Sequence, residues 1–411
     1  MPVFMGQHTS HYIQNLNKLP MFNRRVVFFA ACFGMLLFGI SLITLGSIVP
    51  DIKLKLGIDN GSAGSLFAIL PFGILAGSLL FGPVCDKWGY RLMLAISSLF
   101  ICGGFVSMAN VASLNLLRIV VFFFGAGAGA INGATNAIVS DLSSKDKGAN
   151  LSLLGVCFTI GALGMPLVLG LLRNVFSFEK ILIAVALLTA LTAVFYLLIN
   201  FPPPKHTEGI SMKEVKALLS DKMLLLISFF LFFQSSFESL INNWTTTFLI
   251  SELNIEQSKA LFALSASVVG MAVMRLLIGS VFRKVSPERL LSALFIVTMV
   301  ATIAFKMISG FYFAAVTLFL AGAGLAGGFP VMLGFVGERF SKLSATAFSI
   351  AFAVALTGNI LVNYLMGQIS KASGIGHLTT VIIIEFVALV MIGLLVFRKR
   401  KRHPEGSPGI N

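Results

Sequence analysis

The chain has 411 residues, 57% of them hydrophobic and 11% charged, with a formal net charge of +14 and a mean hydropathy of +0.95. A soluble domain carries about 25% charged residues, so this sequence lacks the polar surface to cover a water-facing globule, and lipid is its solvent. The positive charge alone would suit a nucleic-acid partner, but its placement along the chain excludes that reading and reports membrane topology instead.

Residues 1–24 are polar and mixed. They lack the apolar core of a cleavable signal, so the first span is expected to stay in the mature chain. Six apolar runs follow, at roughly 25–49, 62–82, 92–110, 114–140, 149–172 and 180–200, each long enough to cross about 30 Å of hydrocarbon. The first contains no acid. Between the second and third lies the loop GPVCDKWGYR, Gly82 to Arg91. The fourth carries Asn132 and Asn136, and a glycine-rich GAGAG at 125–129 that lets helices approach closely. Residues 201–221, FPPPKHTEGISMKEVKALLSD, are a linker: the prolines end the sixth span, and a short amphipathic helix is predicted near 211–220.

Six more runs occupy roughly 222–250, 259–282, 289–308, 310–337, 343–370 and 377–397. The seventh holds Gln234, Glu238, Asn242 and Trp244, the eighth Arg275, the eleventh Asn359 and Asn363, and the twelfth Glu385, for which the sequence offers no partner. A basic tail, 398–411, closes the chain. The runs are too long and too unalternating for barrel strands, so the spans are helices. The expected fold is an all-α membrane protein of twelve helices: one six-helix bundle over 25–200 and a second over 222–397.

An internal repeat links the two bundles. At one constant offset, Gly73 falls on Gly270, Gly82 on Gly279, Lys87 on Lys284, Gly125 on Gly322 and Gly127 on Gly324. Asp141 likewise falls on Glu338, Ser144-Lys145 on Ser341-Lys342, and Ser152, Gly161 and Gly170 on Ser349, Gly358 and Gly367. Six spans per half make the repeats parallel, about an axis along the membrane normal.

Most basic residues gather on one side: Lys18, Arg24, Arg25, Lys87, Arg91, Lys145, Lys147, Lys205, Lys213, Lys216, Lys222, Arg283, Lys284, Arg289, Arg339, Lys342 and the run Arg398 to Arg402. By the positive-inside rule both termini are expected in the cytoplasm, with the protein multi-pass in the cell membrane and some attraction to anionic lipid. Cys32, Cys85, Cys102 and Cys157 form neither a disulfide framework nor a zinc pattern. No histidine lies deep in a span, so no catalytic group, metal or cofactor is expected. A membrane-embedded enzyme or a non-transporting membrane sensor is a remote alternative.

The loop Gly82, Asp86, Lys87, Gly89, Arg91 resembles the signature loop of the major facilitator superfamily. That resemblance implies two bundles rocking about a central site, with loop charges that pair across the seam and lock one face. The counterpart at 279–289 has Arg283 where the acid belongs, so the lock is asymmetric. GMAVMRLLIGSVFRKVSPERLL at 270–291 and GERF at 337–340 resemble the fucose–galactose–glucose proton symporter family, which implies sugar transport by symport. Two departures stand beside the resemblance. The first span lacks the acid that such symporters can carry, and Arg118 precedes Gly125 by seven residues rather than four.

On a helix, Gln234, Glu238 and Asn242 share one face, as do Asn132 and Asn136, and Asn359 and Asn363. Such residues are costly against lipid and turn to the bundle interior. Carboxamides both donate and accept, matching sugar hydroxyls. Helix glue at about 0.6 kcal/mol per bond is the plainer account of each one. Trp244 stacks on a ring or anchors the interface. The expected substrate site is Asn132, Asn136, Gln234, Glu238, Asn242, Trp244, Asn359 and Asn363. Glu238 is the proton-coupling candidate, and Gly82, Asp86, Lys87, Gly89, Arg91 and Arg275 are the gating residues. By position along their helices, Glu238 and Arg275 differ in depth by about 15–20 Å, so no direct salt bridge is expected. The expected function is a monomeric carrier that moves a sugar with a proton by alternating access. An exporter or uniporter of another small polar metabolite is the alternative, suggested by the acid-free first span.

Overall fold

The computed structural model describes residues 22–57, 60–143, 146–172, 175–204 and 212–402. Lys18, the Ser144-Lys145 repeat match, Lys205 with the middle of the linker, and the end of the basic tail lie outside the described residues. Helices account for nearly all of what is described, and no strand occurs among the described residues. The first half comprises α1 (Arg24–Leu56), α2 (Asn60–Trp88), α3 (Tyr90–Ala109), α4 (Leu114–Leu142), α5 (Lys147–Leu172) and α6 (Phe178–Leu198). A short helix, α7 (Met212–Ser220), stands in the linker. The second half comprises α8 (Lys222–Ser251), α9 (Gln257–Gly279), α10 (Pro287–Phe305), α11 (Phe311–Leu325), α12 (Gly328–Arg339), α13 (Ser344–Ser373) and α14 (Leu378–Arg402).

Twelve stretches of these helices are long and apolar enough to span a membrane. The tenth span, read from sequence as one run, is two helices, α11 and α12, separated at Ala326 and Gly327. The Gln234 side chain explains how the break is tolerated: its Nε2 donates to the Leu325 carbonyl at 2.8 Å. A freed backbone carbonyl within a membrane needs such a partner. Gly328 permits the approach, because a Cβ there would collide with the Gln234 carboxamide.

Much of the packing repeats as the sequence does: α1 packs on α5 and α2 on α4 in the first half, as α8 does on α13 and α9 on α11 in the second, but α6 packs on α3 whereas α14 packs mainly on α8. Glycines set two of these contacts. A Cβ on Gly73 would strike the Phe122 carbonyl, and one on its counterpart Gly270 would strike the Phe319 carbonyl. Lipid gives apolar helices no hydrophobic reason to associate, so close backbone approach at small residues supplies the packing energy. Large side chains such as Phe29, Leu187, Ile296 and Val316 stay exposed on the perimeter, as a lipid-facing surface requires.

Asp221 begins the second half. It caps α8, accepting from Met223 N at 2.8 Å and Leu224 N at 2.9 Å, and pairs with Arg339 at 2.9 Å. Burial pushes the Asp221 carboxyl up, but Arg339 and the two backbone N–H groups outweigh it and hold the carboxyl below its usual range. A depressed carboxylate contributes stability above its ordinary unfolded value of 3.8 and loses it as pH falls through the lower folded value. Asp221→Ala is therefore expected to cost about 1 kcal/mol at neutral pH, the usual worth of such a cap. In thermal melts the gap to the wild type should close as the buffer is taken below pH 3.8. A gap independent of pH would mean the charge is not what stabilises the cap.

Candidate functional site

The halves meet chiefly where α2 packs on α13 and α5 on α9, and also where α5 meets α12 and α4 meets α13. The α2–α13 and α5–α9 seams are counterparts under the repeat, and the counterpart serines Ser152 and Ser349 each hydrogen-bond across one of them. Ser349 Oγ donates to the Leu79 carbonyl at 3.2 Å, and Ser152 Oγ donates to the Arg275 carbonyl at 2.9 Å. On the face that carries the basic loops the seams are closed. Lys147 Nζ reaches the Gly337 carbonyl at 2.8 Å, and Ser344 Oγ donates to Asp141 at 2.6 Å. Tyr90 donates to the other oxygen of Asp141, also at 2.6 Å.

Asp86 is at the centre of this closure. It is 1% exposed and accepts from Thr346 N at 3.0 Å and Thr346 Oγ1 at 2.7 Å. Thr346 lies in the first turn of α13, where orphan N–H groups and the helix dipole favour an anion. Gly82 makes room, since a Cβ there would press into Ala345 and Thr346. Gly89 caps α3 at φ 84, in the left-handed region where glycine carries no steric penalty.

Of the loop charges, Asp86 reaches across the seam to the N-terminal turn of α13. Lys87 lies over the Trp88 ring at 4.8 Å, and Arg91 donates to the Leu197 carbonyl; both contacts stay within the first half. Arg275 does cross. Its Nη1 donates to the Gly155 carbonyl at 3.3 Å, while its buried Nε has no hydrogen-bond partner. No ion pair joins it to Glu238.

The carboxamides divide into two groups. Asn363 joins α13 to α8: its Nδ2 donates to Ser239 Oγ at 2.5 Å, and its Oδ1 accepts from Trp244 Nε1 and Asn243 Nδ2, both at 3.0 Å. Asn363 also donates to the Asn359 carbonyl at 2.7 Å. Trp244 therefore turns toward α13. In α4, Asn136 is buried and donates to the Asn132 carbonyl at 2.8 Å, and Asn132 is half-buried. Gly129 and Gly133 of α4 pack on α2, while Ile131 and Thr135 meet Gly34 of α1. At 100° per residue Asn132 lies between these two faces, on the side opposite Gly127, which packs on α3. Glu238 and Asn359 are half-buried and Asn242 is exposed.

Two polar side chains of the spans are tied into helix contacts. Gln234, placed in the substrate site, is 2% exposed and committed to the break in the tenth span. Glu385, left without a partner, is 5% exposed and accepts from Ser236 Oγ at 2.5 Å, tying the twelfth span to the seventh. Sequence reasoning also missed Ser239, Asn243, Tyr90, Ser344 and Thr346. For Asp141 a signal existed, its repeat match to Glu338, but the repeat did not reveal its partners.

A family model described as Major Facilitator Superfamily matches residues 31–311 and 236–410. The chain is 24% identical over 380 residues to the glucose/mannose transporter GlcP of Bacillus subtilis, covering 89% of this chain and 92% of that one. It is 30% identical over 155 residues to the 4-hydroxybenzoate transporter PcaK of Acinetobacter baylyi, a match that spans 33% of that protein. Among solved structures, FucP in the outward conformation superposes with a TM-score of 0.75 at 17% identity, over 90% of this chain and 98% of that one. The proton:xylose symporter XylE superposes with a TM-score of 0.75 at 15% identity, over 91% and 95%. These likenesses give the fold of two parallel six-helix bundles, and the chain, a multi-pass membrane transporter and not an enzyme, belongs to the Major Facilitator Superfamily.

Proposed function

We propose that the protein moves a sugar or sugar-like polar molecule, together with a proton, across the cell membrane by alternating access, as a monomer with both termini in the cytoplasm. One observation carries this reading. The basic face is sealed by bonds between the halves, from Asp86 to Thr346 and from Asp141 to Ser344, while Asn132, Glu238, Asn359 and Asn363 remain half-buried rather than packed away. That is the arrangement of a carrier closed to one side. With the basic face inside, the conformation is outward-facing. The central pathway takes its polar lining from α4, α8 and α13, and the paired donors and acceptors of carboxamides suit hydroxyl-rich solutes. Likeness to two sugar:proton symporters and to a glucose/mannose transporter supports the substrate class.

A second reading has its own observation. Arg275 is buried beside the α5–α9 seam with an unpartnered Nε, and a buried guanidinium is a carboxylate receptor. Relatives that transport 4-hydroxybenzoate and cis,cis-muconate fit that chemistry. Uptake into proteoliposomes from a radiolabelled panel of hexoses, pentoses and aromatic carboxylates decides between them. Accumulation of a sugar under an inward proton gradient is expected, and uptake confined to the carboxylates would replace the sugar reading with the anion reading. Orientation has a separate test. A single cysteine at Ser373 should react with an impermeant thiol reagent added outside cells and one at Thr207 should not, and the reverse labelling would invert the topology.

A further inference from the structure

A cleft of about 310 Å³ opens on the basic face between α1, the end of α4, the start of α5 and the turn after α9. Three arginines line it: Arg24 and Arg25 from α1, and Arg283 from the second half. Arg283 is held across the seam by Asn150 at 2.8 Å and Asp146 at 3.3 Å. Asp146 pairs with Arg283; Arg24 and Arg25 make no ion pair among the described residues. Ser143 and Asn150 add polar groups, and Phe28, Leu142 and Leu153 form apolar walls. Phe29 also lines the cleft and is 62% exposed on the lipid-facing perimeter of α1.

The geometry points to a binding site for the phosphate of an anionic lipid headgroup, in the leaflet on the basic face. Guanidinium forks match phosphate oxygens in pairs. Convergent like charges leave a local excess of positive potential that a phosphate relieves, and the exposed Phe29 beside them gives an acyl chain a surface to lie along. A soluble phosphate ester shares the headgroup chemistry but has no use for that apolar flank.

The site spans both halves, and this gives it a consequence. Arg283 reaches Asp146 and Asn150 only while the basic face is closed, so the complete three-arginine site belongs to that conformation. A ligand that binds one conformation better shifts the equilibrium toward it. Anionic lipid therefore holds this face closed. This second step rests on the alternating-access reading; binding itself does not.

The test uses the full chain in nanodiscs of phosphatidylcholine, with or without phosphatidylglycerol. A triple variant, Arg24→Gln with Arg25→Gln and Arg283→Gln, is accepted for comparison once its melting temperature in phosphatidylcholine equals that of the parent. Native mass spectrometry should show phosphatidylglycerol retained by the parent, with retention falling about fivefold for each arginine removed. Equal retention by the triple variant would overturn the site. A thermal shift with glycerol phosphate, absent any preference for phosphatidylglycerol, would assign it to a soluble ester and overturn the lipid proposal. The conformational step is read at Val331, which is 3% exposed against Gly148 across the closed seam. In a background lacking Cys32, Cys85, Cys102 and Cys157, phosphatidylglycerol should slow alkylation of Val331→Cys several-fold, and should do so only with the three arginines in place. Lipid retained by the arginines with unchanged alkylation would leave the site standing and refute its control of conformation.

Discussion

Glu238→Gln is expected to keep counterflow exchange of sugar and lose accumulation driven by a pH gradient. The side chain lies half-buried in α8, among Phe237, Leu240 and Ile241, all buried. A carboxylate in such surroundings is costly unless something compensates it. Glu238 forms no ion pair with Arg275. A carboxyl compensated only in part can take up and release a proton as the pathway opens and closes, and a solute bound beside it biases that proton reciprocally. Glutamine keeps the shape and a hydrogen-bonding group while fixing the side chain neutral, so the exchange step survives and the coupled step does not. Under a tenfold proton gradient the loss amounts to about 1.4 kcal/mol of driving force per proton, a tenfold fall in the limiting accumulation ratio. A variant that still concentrates sugar to the wild-type ratio would remove Glu238 from the coupling.

Asn363→Leu should weaken substrate affinity by a factor of about 10 to 100, the range for an unmade bond of 1–3 kcal/mol at a buried polar group. Asn363 joins Ser239, Asn243, Trp244 and Asn359, so leucine there disperses the whole cluster. Asn132→Leu, on the opposite half, should lose affinity with little change in melting temperature, because the Asn132 side chain accepts one bond, from its neighbour Asn136 at 3.1 Å. Equilibrium binding and ligand-free thermal melts on the same samples separate the outcomes. Equal proportional losses in both, at both positions, would make these residues helix glue.

What the sequence disclosed and what it hid divide by distance along the chain. The twelve spans were legible because each is a local property, a run of apolar residues of sufficient length. The two halves were legible because the repeat preserves glycines at contacts, as Gly73 on Phe122 and Gly270 on Phe319 demonstrate. Partners across the fold were not. Ser236 and Glu385 are 149 positions apart, and Asp86 and Thr346 are 260 apart, with nothing local in either segment to announce the pairing. The bond made by Gln234 was hidden for a related reason. Helical periodicity places the residue on one face with Glu238, but periodicity is blind to the break in the tenth span that claims its amide. The break did have a local mark, Pro330 in the first turn of α12, which cannot donate to the Ala326 carbonyl and whose ring crowds it; the apolar run across it was long enough to read as one span.

The most direct test of alternating access is a reversible lock at the sealed face. Asp86 Oδ2 and Thr346 Oγ1 are 2.7 Å apart across the seam, so cysteines at both positions, in a chain without the four native thiols, are set to cross-link on mild oxidation. Comparing oxidised and reduced samples of the same variant removes any effect of the substitutions themselves. With the cross-link complete by mass spectrometry, the account predicts that net uptake and counterflow both cease, that solute still binds from the open side, and that a reducing agent restores transport. Transport continuing at the reduced sample's rate through a fully cross-linked protein would contradict it.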